Sequence, residues 1–201
     1  ARMNVEIDTE EENIKLTTKS DVDFARLCLK NRLNLRRGPR VGAGYDVHRL
    51  VPDRKLILCG VALDFPLGLL GHSDADVAAH AMADALLGAA ALGDIGKHFP
   101  DTDEKYRGAD SLKLLAAVAA FVRDAGYGVG NIDCTIVAQR PKLSPYIEAM
   151  RKNVAECLGV PLCDVSIKAT TEEGLGFTGR GNGIAAHAVC TLLDRLSDKM
   201  L

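Results

Sequence analysis

From Asp74 to Ala91 the chain is built almost wholly from Ala, Leu, Val and Met with a helical rhythm, and residues 73–92 contain no Lys, Glu or Gln. A solvated helix face usually carries those residues, so this segment predicts a helix enclosed by the rest of the fold. Asp76, His80 and Asp84 recur at i, i+4 and i+8, which places them on one face of that helix. Composition points the same way. Aromatic residues make up only 4% of the 201 residues and Trp is absent, so the core must come from Ala, Leu, Val and Ile. Small side chains let elements pack closely. They also bury less area per residue, which makes further burial in an oligomer plausible.

The remaining pattern is that of a globular protein. Hydrophobic residues are 47%, charged residues 26%, and the net charge is −2, which recruits neither nucleic acid nor an anionic membrane surface. No apolar run reaches the ~18 residues of a membrane span and no signal-peptide pattern opens the chain, so the expected compartment is a bacterial cytoplasm or a plastid-type stroma. Cys28, Cys59, Cys134, Cys157, Cys163 and Cys190 match no zinc or redox spacing and read as reduced thiols.

Strands are expected at Val41–His48, Lys55–Cys59, Ile132–Val137, Val165–Ala169 and Ile184–Leu193. Helices are expected from Asp74, at Ser111–Ala125 and at Ser144–Leu158, with Gly93 as a stop, Pro145 near N1 and Gly159 at C′. The order ββααβαββ with short links predicts an α+β fold: a two-layer sandwich of about three helices on one mixed four- to five-stranded sheet. Residues 1–40 stand apart. They are polar, include a helix from Ser20 as N-cap and a strand-like run at Asn13–Thr18, and end in the linker Arg36-Arg37-Gly38-Pro39-Arg40.

Asp46-Val47-His48 closes a strand, and residues two apart on a strand share a face. Asp46 and His48 can therefore converge on one ion, with His80 supplying a third ligand. Two imidazoles and a carboxylate with an open fourth position is the composition of a catalytic zinc site. Gly71-His72-Ser73 opens the ligand helix, where free backbone N–H groups favour a phosphate. The loop Gly93–Asp103 is acidic and glycine-bearing, and Ala138-Gln139-Arg140-Pro141-Lys142-Leu143 follows a strand with cations beside backbone carbonyls. Lys168–Gly181 concentrates hydroxyls, carboxylates, an Arg and four glycines that let backbone approach a ligand.

Ser73-Asp74-Ala75-Asp76-Val77-Ala78-Ala79-His80-Ala81-Met82-Ala83-Asp84-Ala85-Leu86-Leu87-Gly88 resembles, position for position, the signature helix of the 2-C-methyl-D-erythritol 2,4-cyclodiphosphate synthase family. Asp46-Val47-His48, the Gly93–Asp103 loop and Leu175–Gly181 extend the resemblance over residues 41–194. It implies conversion of 4-diphosphocytidyl-2-C-methyl-D-erythritol 2-phosphate to the 2,4-cyclodiphosphate plus CMP, a lyase step of the non-mevalonate isoprenoid pathway. By the same resemblance Asp46, His48 and His80 are Zn2+ ligands, and Glu173 meets a second divalent cation, Mg2+ or Mn2+. His72 and Thr171 steady the transition state. Ser73, Asp94, Ile95, Gly96, Phe99, Pro100, Asp101, Thr102 and Asp103, with the Asp46-Val47-His48 strand end, hold the methylerythritol phosphate. Ala138, Gln139, Arg140, Pro141, Lys142, Leu143 and Ser144 hold the cytidine diphosphate with Ala169, Thr170, Thr171, Glu172 and Glu173.

The resemblance further implies a homotrimer with active sites between subunits, and Phe177 and Arg180 at a central channel able to hold a phosphate or an isoprenoid diphosphate. Glu172 stands where the family commonly has Thr or Asn, and Gly174 where some members carry Lys. Asn13–Asp21 also resembles the C-terminal end of the cytidylyltransferase two steps earlier in the pathway. That predicts a cyclase domain at 41–201 behind a transferase remnant at 1–40, the cyclase half of a bifunctional protein. Two further readings use the same residues: a metal-dependent phosphodiesterase, and a non-catalytic trimer that binds an isoprenoid diphosphate.

Overall fold

The computed structural model describes residues 17–35 and 39–194. The chain divides into two units, residues 1–38 and residues 39–201. In the first unit helix α1 runs from Lys19 to Leu35. Thr18 caps it, not Ser20: the Thr18 hydroxyl accepts from Asp21 N at 3.2 Å, and Asp21 Oδ2 accepts from Thr18 N at 2.7 Å. This reciprocal pair satisfies N–H groups that no helical carbonyl reaches. Most of the expected strand Asn13–Thr18 lies outside the described residues.

The second unit is the expected α+β sandwich. Its sheet has five strands in the order β4 (Leu67–Leu69), β1 (Arg40–Pro52), β7 (Gly183–Asp194), β5 (Tyr127–Val137) and β6 (Val165–Thr170). Every pairing is antiparallel except β5 with β6, which makes the sheet mixed. A hairpin of β2 (Leu56–Leu58) and β3 (Val61–Leu63) lies outside it. The three main helices are α2 (Val77–Ala90), α4 (Ser111–Asp124) and α5 (Ile147–Leu158), with single turns α3 (Ile95–His98) and α6 (Gly176–Gly179). α2 packs on β1 and β7, α4 on α2, and α5 on α4 and β6.

The small-residue core has a specific purpose where β1 meets α2. A Cβ on Gly42 would lie 2.0 Å from Ala85 O, and one on Gly44 2.0 Å from Ala81 O. Helix backbone therefore rests directly on strand backbone. Only glycine on the strand and alanine on the helix permit that approach. Along its other sides α2 buries Val77, Met82, Leu86 and Leu87 completely, each burial contributing about 1.5–3 kcal/mol.

Helix boundaries differ from the sequence reading. α2 begins at Val77, because Asp76 is its N-cap and accepts from Ala79 N. Asp76 thus points back into the core rather than along the His80 face. Gly71-His72-Ser73 consequently lies in the preceding loop and not at a helix N-terminus. α2 ends on Ala91, which takes the left-handed conformation two residues before Gly93. α5 starts at Ile147 behind Tyr146, so Pro145 precedes the helix, while Gly159 closes it with φ 69° as expected. All six cysteines are free thiols, with Cys59, Cys134 and Cys190 buried. Among the described residues no helix is long and apolar enough to cross a membrane.

Candidate active site

Strand alternation and helix placement build the centre of the site. Even-numbered residues of β1 face α2, so Asp46 and His48 project toward His80 while Val47 turns to the opposite, exposed face. Asp46 Oδ2 lies 3.0 Å from His48 Nε2 and 2.9 Å from His80 Nδ1, and the two nitrogens are 3.3 Å apart. One carboxylate oxygen and two imidazole nitrogens converge on one point. These are the donors a borderline divalent cation takes, so the residues fit the expected metal.

The electrostatics favour positive charge at that point. Burial pushes the Asp46 carboxyl up, but hydrogen bonds from His48 and His80 outweigh it and hold the group well below the usual carboxylate range. Burial pushes His80 down, and the Asp46 carboxylate reverses this and raises it. Both shifts describe protons standing where a cation would neutralise the same carboxylate.

The triad opens into a pocket of about 450 Å³ lined by His48, His80, Gly71, His72, Ser73, Ile95, Gly96, Phe99, Pro100, Asp101, Tyr106 and Leu114. One wall is polar and carries His48 and His80; the other is apolar, with Tyr106 packed edge-on against Phe99 at 5.3 Å between centroids. Asp94, Thr102 and Asp103 do not line it. Asp94 caps α3 through Lys97 N, and Asp103 accepts from Lys105 N and, through its carbonyl, from His72 Nε2 at 3.4 Å. Asp84 accepts from Ile95 N at 2.7 Å, which fixes α3 and the pocket floor. Tyr106 and Leu114 escaped the sequence reading, because nothing in their spacing ties them to residues 72 or 80.

A second pocket of about 480 Å³ lies at the ends of β5 and β6. It is lined by Ala138, Gln139, Arg140, Pro141, Lys142, Leu143, Ser144, Ile147, Ala169, Thr170 and Thr171. Ala138 N donates to Thr170 O at 3.0 Å, extending the parallel ladder into the pocket wall. The two pockets share no residue, so His72 and Thr171 fall in different ones. Glu173 stands outside the metal triad and accepts from the Thr171 hydroxyl at 2.7 Å. Glu172 accepts from the Thr178 hydroxyl. Gly179 serves a contact within the chain: a Cβ there would lie 2.5 Å from Gly174 C. Phe177 and Arg180 are exposed.

Residues 39–193 match the YgbB family. The chain belongs to this family of cyclodiphosphate synthases. It is 65% identical over 154 residues to the 2-C-methyl-D-erythritol 2,4-cyclodiphosphate synthase of Trichlorobacter lovleyi, covering 77% of this chain and 98% of that one. Among solved structures, the bifunctional IspDF of Campylobacter jejuni superposes with a TM-score of 0.75 at 44% identity, over 78% of this chain and 42% of that chain. A CDP complex of the Plasmodium falciparum family member gives 0.69 at 31% identity, over 79% of this chain and 97% of that one.

Proposed function

We propose that this chain is a 2-C-methyl-D-erythritol 2,4-cyclodiphosphate synthase, a phosphorus–oxygen lyase of the non-mevalonate isoprenoid pathway. The observation that carries the reading is the Asp46–His48–His80 triad at the mouth of a half-apolar pocket, in a chain 65% identical to a synthase of that name. The substrate is 4-diphosphocytidyl-2-C-methyl-D-erythritol 2-phosphate. An oxygen of its 2-phosphate bonds to the β-phosphorus, the bond from that phosphorus to the bridging oxygen breaks, and CMP leaves with the electron pair.

The nucleophile is already ionised at neutral pH, so the chain needs no strong base. It needs to fold two like-charged groups together and absorb charge on the diphosphate. Zn2+ held by Asp46, His48 and His80, with Mg2+ or Mn2+ at Glu173, supplies positive charge for those oxygens. Ile95, Phe99, Tyr106 and Leu114 hold the carbon face of the methylerythritol unit and exclude water from it. Backbone groups of residues 138–144 and 169–171 hold the cytidine end, with Arg140 and Lys142 near its phosphates. His72 and Thr171 donate hydrogen bonds to the reacting phosphates.

On one chain the two pockets are separate, which supports active sites formed between subunits of a homotrimer. Arg180 side chains then meet near the three-fold axis, where their repulsion calls for a phosphate or an isoprenoid diphosphate. The enzyme works in a bacterial cytoplasm or a plastid-type stroma. Residues 1–38 are the end of a cytidylyltransferase domain, in keeping with the bifunctional relative. Incubation with substrate, Zn2+ and Mg2+ tests the reading: CMP and the cyclic diphosphate are expected, and a linear hydrolysed product would reassign the chain as a phosphodiesterase. Sedimentation at working concentration tests the trimer, which a stable monomer would refute.

A further inference from the structure

We infer that Ser111 and Asp74 are positioning residues that decide which nitrogen of His80 faces the cation centre. The inference rests on the triad's being a metal site. His80 is its most enclosed member, with 14% side-chain exposure, and its two nitrogens meet different groups. Nδ1 faces Asp46 Oδ2 at 2.9 Å and His48 Nε2 at 3.3 Å. Nε2 faces Ser111 Oγ at 2.9 Å and Ser73 Oγ at 3.2 Å.

Ser111 has one hydroxyl proton, and it goes to Asp74 Oδ1. A carboxylate only accepts, so this direction is fixed. The Ser111 oxygen is left with lone pairs toward His80, and Nε2 must carry the hydrogen between them. A neutral imidazole has one N–H. With a cation held at the triad, Nδ1 therefore keeps a lone pair to offer it; without one, a second proton takes that place and is donated to Asp46 Oδ2.

The arrangement is held at several points. Asp74 Oδ2 accepts from Ser111 N at 3.0 Å, so one carboxylate binds both the hydroxyl and the backbone of Ser111. Asp74 N donates to Ala109 O at 3.1 Å, which ties the loop before α2 to the start of α4. Ser111 is 1% exposed, so no bulk water can replace it. Outer partners of this kind orient a metal-binding imidazole and raise its basicity.

The test measures the affinity of the full chain for zinc alone, by competition with a chromogenic chelator, together with nitrogen NMR of the imidazoles. Ser111→Ala removes the acceptor. Asp74→Asn reverses the relay: the new amide donates to Ser111 Oγ, the hydroxyl turns to His80 Nε2, and the imidazole proton moves to Nδ1 in the metal's place. Both variants are expected to weaken zinc binding about 10–100-fold. Zinc-loaded wild-type protein is expected to show its single His80 N–H at Nε2.

Asp110→Ala serves as the structural control. It deletes the cap to Leu112 N at the same helix start without touching His80. It is expected to lower the melting temperature and leave zinc affinity unchanged. Wild-type zinc affinity in both relay variants, or an equal loss in Asp110→Ala, would overturn the positioning role. Should Ser111→Ala not fold, Asp74→Asn and the wild-type NMR decide the matter. Wild-type protein that binds no zinc would remove the metal-site reading, and this one with it.

Discussion

The two pockets are built by opposite means. Around His80 polar atoms are held by other side chains, on a strand and a helix whose separation Gly42 and Gly44 fix at backbone contact. The pocket at residues 138–144 is mostly strand-end loop, with buried Leu143 as floor and exposed Gln139, Arg140 and Lys142 at the rim. A cation centre loses affinity when a ligand moves by a fraction of an ångström, so it needs rigid elements beneath it. A base and a ribose offer many hydrogen-bonding atoms, and backbone groups on a loop can meet them.

His80→Ala should therefore separate the pockets most sharply. Tightly bound zinc should disappear and turnover should fall by about 1,000-fold or more, since a Lewis acid contributes several kcal/mol to such a step. The fold and the affinity for CMP, which lacks the β-phosphate, should stay near wild type, because the pocket at residues 138–144 shares no residue with the triad. Unchanged zinc by metal analysis would remove His80 from the ligand set. A matching loss of CMP binding would show the two pockets to be coupled.

Gly44→Ala tests the rigidity itself. Its new Cβ would stand 2.0 Å from Ala81 O and 2.7 Å from Ala85 N, atoms of helix backbone that cannot rotate away. The expected loss is about 3 kcal/mol of stability, with weaker zinc binding as α2 lifts from β1 and carries His80 with it. Urea unfolding and chelator competition read the two effects. Normal stability would mean that the helix and strand are not held at a fixed distance.

The same contrast explains what could be read from the residues. Asp46 and His48 were legible because strand alternation is a local rule, and His80 because it interrupts an otherwise apolar helix. The rest of the fold's outline followed from the same periodicities, although β3 and β4 are too short to show one. Asp76 misled: i, i+4 spacing put it with His80, but a residue at a helix boundary leaves the helical register and turns to cap it. Ser111 was legible only as a helix start. Its contact with His80 depends on how α4 crosses α2, which no periodicity within one element encodes. The pocket at residues 138–144 was marked in the sequence only by Arg140 and Lys142 after a strand end and by resemblance, since its wall is largely backbone and backbone carries no residue-type signal.

Two carboxylates near the site extend the contrast to pH. Burial raises both. In Asp46 the histidine hydrogen bonds outweigh it and the pKa is depressed; in Asp76 the N–H groups of Gly60 and Ala79 do not, and it rises to about 6. The Asp46 contribution to stability is present above the unfolded value of 3.8 and is lost as pH falls through the folded one. The Asp76 contribution is complete below 3.8 and is lost as pH rises through about 6. Its size is on the order of 2–3 kcal/mol. In chelator-treated protein, Asp76→Asn should gain on wild type between those two values by that amount, and Asp46→Asn should lose ground as pH rises from the acid side. Differences from wild type that stay constant across pH would sink both assignments.

The smallest expected effect concerns the two units of the chain. α1 belongs to residues 1–38 and leaves Phe24 and Leu27 about half exposed, while every side chain of the triad and both pockets belongs to residues 39–201. One helix has too little apolar surface to form a core of its own, and the cyclase core lies in α2, α4, α5 and the sheet. We therefore expect a chain beginning at Pro39 to fold, trimerise and cyclise substrate as the longer one does. Its melting temperature should agree within about 2 °C, which for a domain of this size corresponds to under about 1 kcal/mol. Turnover and thermal melting of the two lengths, measured side by side, check this directly. A large loss of either in the shorter chain would make the N-terminal unit part of the cyclase's own structure, and the transferase-remnant reading of residues 1–38 would fall.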